Sequence, residues 1–147
     1  MRVLAIILIS LLALWGCRSG PPESQPQPPD GSLFVELGGL AGISRVVDGL
    51  LFRIADDQRI VHHFAEADFE RLRIQLIEQL CTESGGPCQY QGDSMAEAHA
   101  GMSITESEFQ AMLEDLAAAM DEEGIAPATQ RRLLTRLRPL GRDIIAR

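Results

Sequence analysis

Residues Gly85–Gly101 read GGPCQYQGDSMAEAHAG, a loop of Gly, Pro, Gln and Asp followed by a short helical segment that carries His99. An imidazole held by a short helix can bind a metal from one side and leave the opposite side open. His99 is one of three histidines in the chain, so the search for a ligand is short. A lone histidine is more often a surface or hydrogen-bonded side chain, so this position alone defines no site. The loop adds weight. Gly85 to Met95 is long for a connection in a small helical bundle, where about two to eight residues is usual, and such loops often shape sites.

Outward from this stretch the apolar spacing is helical on both sides. Ile43, Val46, Val47, Leu50, Leu51 and Ile54 form one face of a helix from about Ala41 to Ala55, with a turn at Gly38-Gly39 ahead of it. Gly49 inside that helix costs propensity and suggests a close helix crossing. A second helix runs from about Asp68, with Phe69, Leu72, Leu76 and Leu80 at spacings of three and four, and ends before Gly85. A third starts at Thr105, where Thr105 and Glu108 form a capping box, and shows Phe109, Met112, Leu113, Leu116 and Met120 on one face. Met112 and Met120 read as core filling. Gly124 lies past its end, and Pro127 opens a fourth helix with Leu133, Leu137, Leu140 and Ile144 inward. Pro139 should kink that helix or end its regular part. No run of strand period appears, so the domain is expected to be all-α.

The N-terminal region is not part of this fold. Arg2 is followed by an apolar run from Val3 to Trp15, shorter than the roughly 20 residues of a membrane-spanning helix, and this is the pattern of an export signal. Leu14-Trp15-Gly16-Cys17 resembles the lipobox of bacterial lipoproteins. That resemblance implies a signal peptide over 1–16 and lipidation of Cys17, whose two acyl chains anchor the protein at about 0.8 kcal/mol per buried CH₂. Arg18 after Cys17 is not the aspartate that retains many lipoproteins in the inner membrane, so the same resemblance implies the outer membrane, facing the periplasm. Residues 17–32 then form the lipidated cysteine and a Pro-, Gln- and Ser-rich linker with almost nothing apolar to bury. A single domain of residues 33–147 remains.

The formal net charge is −8 and basic residues are scattered, which argues against nucleic acid as partner and against a polybasic contact with lipid. With Cys17 lipidated, Cys81 and Cys88 remain as a pair in an exported chain. A disulfide is the favoured reading in an oxidising compartment, with two free thiols as the alternative. Two cysteines without a nearby histidine pair leave a zinc tetrahedron incomplete.

Several residues in fixed order match a family: Leu37-Gly38-Gly39, Val46-Val47-Asp48, Phe64, Gly85-Gly86-Pro87, Tyr90, Gly92, Met95, Ala98-His99 and Ile104-Thr105. From Leu33 to about Ile145 the chain resembles the group I truncated haemoglobins, whose fold is a two-over-two helical globin sandwich. The resemblance implies haem b, iron protoporphyrin, bound non-covalently between the second and third long helices. His99 falls on the proximal histidine that ligates the iron, Phe64 on the aromatic packed against the haem face, and Tyr90 and Met95 on the loop and short helix closing the proximal side. Leu72 faces the ligand, and Arg71 and Arg73 are candidates for the propionates. Where family members often carry a tyrosine and a glutamine that donate to bound oxygen, this chain has Leu51 and Leu76, with Leu72 beside them and Gln75 as the nearest polar side chain. The distal pocket is therefore expected to be apolar. His62 and His63 precede Phe64; one could swing in as a sixth iron ligand, but both are read as surface residues near the haem edge.

These readings make the chain a haem-binding globin that takes O₂, NO or CO while held to a membrane by lipid. Two alternatives stand beside it. One is a haem-free helical lipoprotein for protein contacts. The other is a haem-dependent NO dioxygenase or peroxidase-like enzyme, which needs polar distal groups or a reductase or electron-transfer partner that the residues do not identify. Loss of a donor to bound O₂ removes a charge-assisted bond of roughly 1.5–3 kcal/mol, so weak or short-lived O₂ binding is expected, with NO or CO relatively favoured.

Overall fold

In the computed structural model residues 32–146 are described. The apolar leader, Cys17 and the linker up to Gly31 lie outside the described residues. The described chain runs α1 (Ser32–Glu36), α2 (Gly39–Asp56), a 3-10 turn (Val61–Phe64), α3 (Phe69–Glu83), α4 (Met95–Ala98), α5 (Glu106–Glu122) and α6 (Pro127–Leu137). A second 3-10 turn (Arg138–Leu140) and α7 (Gly141–Ile144) follow. No strand occurs among the described residues.

Local chemistry sets the helix ends. The Asp68 carboxylate accepts from the backbone N–H groups of Glu70 and Arg71 and starts α3. At α5 the expected capping box is formed: the Thr105 hydroxyl accepts from the Glu108 N–H, while the Glu108 carboxylate accepts from the Thr105 N–H at 2.8 Å. Pro127 occupies the first turn of α6, where its missing N–H costs nothing. Pro139 ends that helix as expected, since the chain tightens to a 3-10 turn after Leu137 before α7 resumes.

α2 is the central element. It buries Ile43, Val46, Val47, Leu50 and Ile54 and packs against both α3 and α5, while α5 also packs on α6. The result is two stacked helix pairs, α2 with α3 and α5 with α6. Leu33 of α1 and Leu37 in the turn after it, Leu116 and Met120 of α5, and Leu133 of α6 complete one core.

Four expectations change. α1 was not visible as a helix, because five residues carry too little periodicity; it begins at Ser32, one residue inside the expected linker. Helix α2 begins at Gly39, inside the expected turn. Phe69 is 45% exposed, because it stands at the first position of α3, before that helix meets its neighbours. Gly49 does face α5, but a Cβ there would lie 3.5 Å from the Ala119 Cβ, an ordinary contact, so the crossing does not require glycine.

The Gly85–Met95 loop is tied down at its start. Cys81, in the last turn of α3, is disulfide-bonded to Cys88, with Cα atoms 5.8 Å apart. The Phe34 N–H donates to the Ser84 carbonyl at 3.1 Å, and the Gly86 N–H to the Cys81 carbonyl at 2.8 Å. A Cβ on Gly86 would come within 2.5 Å of the Phe34 ring and 2.6 Å of Cys81 Sγ, so only glycine fits beneath α1.

Candidate functional site

Between α3, α5 and the short α4 lies a cleft of about 470 Å³, within the range that holds small organic ligands. Helix α3 lines it with Leu72, Gln75, Leu76 and Gln79, and α5 with Phe109, Met112 and Leu113. The wall opposite in sequence comes from Tyr90, Met95, His99 and Met102. Most of the lining is apolar, because both helices turn hydrophobic stripes toward it.

His99 follows α4 directly and is half-buried. Its helix is fixed by a second capping box, in which the Ser94 hydroxyl accepts from the Glu97 N–H and the Glu97 carboxylate accepts from the Ser94 N–H at 3.1 Å. The His99 Nδ1 lies 2.7 Å from the Met95 carbonyl oxygen. A carbonyl can only accept, so Nδ1 holds the proton and donates, and the neutral ring keeps a free lone pair on Nε2. A bond of this kind fixes the tautomer and ring orientation of metal-binding histidines.

Tyr90 packs half-buried in the loop, and burial, with Asp93 and Glu78 nearby, pushes its phenol above the ordinary range. A Cβ on Gly92 would sit 2.3 Å from the Tyr90 hydroxyl and 3.0 Å from Gln75 Nε2, so glycine lets the loop close over both. The Gln75 amide is thus drawn toward the loop. Gln79 is turned as well: its amide donates to Glu83 at 2.9 Å.

Phe64, Leu72, Gln75, Leu76, Tyr90, Met95 and His99 are all brought to this one cleft. Leu51 and Arg71 are not. Leu51 is half-buried against the core, and its neighbour Leu50 reaches the cleft instead, because successive helix positions differ by about 100°. Arg71 is exposed on an adjoining shallow cleft with Glu70, Glu78 and Gly92, and pairs with Asp93 at 3.9 Å. Gln75, one turn after Arg71, borders both clefts. Arg73 points the other way, with two donors on the Asp48 carboxylate, and so joins α3 to α2.

Sequence reasoning missed Phe109 and Met112 as cleft residues, since an apolar stripe that lines a cavity has the same period as one that fills a core. Met120 is core filling as expected, but Met112 lines the cleft. The two neighbouring histidines also part company. His62 is exposed, whereas His63 is half-buried and lines the cleft, and so is not a surface residue. Both face Glu108, whose carboxyl is held down to about 2 chiefly by its bonds from Thr105, with His63 adding to the effect.

A stacked pair of helix pairs around a cleft with one tautomer-fixed histidine defines the two-over-two globin class. The bacterial-like globin family matches residues 32–146. The group 1 truncated haemoglobin of Tetrahymena thermophila is 36% identical over 95 residues, covering 65% of this chain and 78% of that protein. That of Nostoc sp. (strain MUN 8820) is 33% identical over 106 residues, covering 72% of this chain and 90% of that protein. The crystal structure of truncated haemoglobin from Tetrahymena pyriformis in the Fe(III) form superposes with a TM-score of 0.76 at 28% identity, covering 78% of this chain and 98% of that one. This chain belongs to the group 1 truncated haemoglobins. Its fold is the all-helical two-over-two globin fold.

Proposed function

We propose that the chain binds haem b non-covalently in the cleft between α3 and α5, with His99 Nε2 as the proximal iron ligand, and takes a diatomic gas on the iron's other side. The observation that carries this is the His99 imidazole: it lines an apolar cleft, its Nδ1 is committed to the Met95 carbonyl, and its Nε2 is left free. The residues fit the group, since Phe64, Leu72, Met95 and Met112 offer apolar surface to a flat macrocycle and the ring nitrogen offers a neutral donor. The iron, when bound, supplies an open coordination position for the gas.

The residues around that position set polarity and access. Leu72 and Leu76 carry no donor, Gln79 is bonded to Glu83, and the Gln75 amide sits beside Gly92 in the loop. The two α3 leucines therefore favour CO and NO over O₂, because bound O₂ carries partial negative charge and receives no hydrogen bond from Leu72 or Leu76. Of the two candidates for the propionates, Arg73 is engaged by Asp48, which leaves Arg71, on the adjoining cleft that meets this one at Gln75.

The same proposal places the protein outside the cytoplasm, held by lipid at Cys17 and facing the periplasm from the outer membrane. The lipobox-like Leu14-Trp15-Gly16-Cys17 supports the anchor, and the Cys81–Cys88 bridge supports an oxidising compartment. Among the described residues no helix is long and apolar enough to cross a membrane.

Visible absorption of the protein expressed with haem available tests the site. A Soret band is expected, and His99→Ala should abolish it or convert it to that of weakly held, non-ligated haem. A haem-free interaction lipoprotein would show no band in the unaltered protein, and an identical band in both proteins would remove His99 as the ligand.

A further inference from the structure

The turn Val61–Phe64 and the first turn of α5 meet at one edge of the cleft, and there three metal-ligating side chains converge. His62 Nε2 lies 3.3 Å and His63 Nε2 3.1 Å from the same atom, Glu108 Oε1. One ligand atom from each of the three falls within 4.8 Å of both others. The rings sit side by side, centroids 4.1 Å apart and tilted by 38°. We propose that His62, His63 and Glu108 form a binding site for a divalent transition-metal ion of the zinc class, separate from the ligand His99.

Three features favour an ion over a plain ion pair. Zn–N and Zn–O bonds of about 2.0–2.1 Å in a tetrahedron hold neighbouring donor atoms about 3.3–3.4 Å apart, close to both nitrogen–oxygen separations seen here. His63 Nε2 is buried and has no hydrogen-bond partner, although Glu108 Oε1 is only 3.1 Å away. The two atoms are near but not aligned with each other, as donors are when both aim at a third atom between them. Finally, Glu108 is already oriented by its other oxygen. Oε2 accepts from the Thr105 N–H at 2.8 Å and from the Thr105 hydroxyl at 2.7 Å, so Oε1 is turned to the imidazoles. Supporting bonds of this kind position the carboxylate ligands of metal sites.

Two neutral imidazoles and one carboxylate leave the fourth position to water, and they suit zinc, nickel or copper(II) rather than calcium or magnesium, which prefer all-oxygen sites. The ion would clamp the turn that carries Phe64 to the first turn of α5. The site needs no haem, so it stands or falls separately from the proposed function.

Titration of the haem-loaded protein with Zn²⁺ against a chromogenic chelator tests it, with Ca²⁺ as comparison. One Zn²⁺ per chain is expected, without competition by Ca²⁺. His63→Ala, His62→Ala and Glu108→Gln should each weaken binding at least as much as the roughly ten- to hundredfold that follows loss of a ligand's supporting partner, and Glu108→Gln retains a residue able to complete the capping box. Zn²⁺ should also raise the unfolding temperature of the unaltered protein and not of His63→Ala. Absence of stoichiometric binding, or binding undiminished in His63→Ala and Glu108→Gln with circular dichroism unchanged, overturns the proposal.

Discussion

Leu76 carries no hydrogen atom that could be donated to a gas bound in the cleft, whereas a glutamine there would. Leu76→Gln is therefore expected to slow O₂ dissociation. A bond worth roughly 1.5–3 kcal/mol corresponds to about a ten- to hundredfold change, and CO dissociation should move far less. Flash photolysis or stopped-flow mixing with each gas gives the two rates, and equal shifts for both would show that the side chain acts through space rather than through donation. The residues in this argument were legible in unequal measure. Leu72 and Leu76 stand one turn apart on α3 and reach the same wall, as their spacing requires. Leu51 obeyed the α2 period too, but that period could not say which of Leu50 and Leu51 turns to the cleft.

At the scale of elements, the loop from Gly85 to Met95 decides whether His99 has a fixed place. It is held by the Cys81–Cys88 bridge at one end and by the Ser94–Glu97 capping box at the other. Opening the bridge should lower unfolding stability by about 2.5 kcal/mol on the chain-entropy estimate. Urea unfolding of oxidised protein beside Cys88→Ser checks this, and equal midpoints would mean that packing of Phe34 on Gly86 holds the loop unaided. Capping and proline signals at α5 and α6 were readable because they are local. The helix α1 was not, since it exists by docking Leu33 and Leu37 into the core rather than by its own period.

For the whole molecule, an acidic chain is joined across its surface by depressed carboxyls. Asp48 is lowered by Arg73, Asp57 and Glu114 by Arg59, Glu97 by Ser94, and Glu108 by Thr105, the last from an ordinary 4.5 to about 2. A carboxyl lowered by folding adds stability above its unfolded value and loses it as pH falls through its folded value. Asp115 works in the opposite sense, because burial and then Asp57 raise it, but it stands alone against the five. Thermal unfolding followed by circular dichroism should therefore show little change from neutral pH to about pH 5, then a steady loss toward about pH 2. Stability that rose across that acid interval would mean that Asp115 outweighs the others.

The helical class, the order of the long helices, their caps and stops, and the histidine at the end of the short helix are all legible along the chain. Periodicity and capping are properties of neighbours along the chain, so they can be read there. Which apolar stripe fills the core and which walls a cleft was settled by helix packing, because both stripes bury the same residue types at the same spacing. Packing also decided the partners of Arg71 and Arg73. They are two residues apart on α3, and that rotation alone sends one to a cleft's edge and the other to Asp48 on α2. The meeting of His62 and His63 with Glu108, over forty residues away in the chain, depends wholly on how the turn after α2 docks against α5.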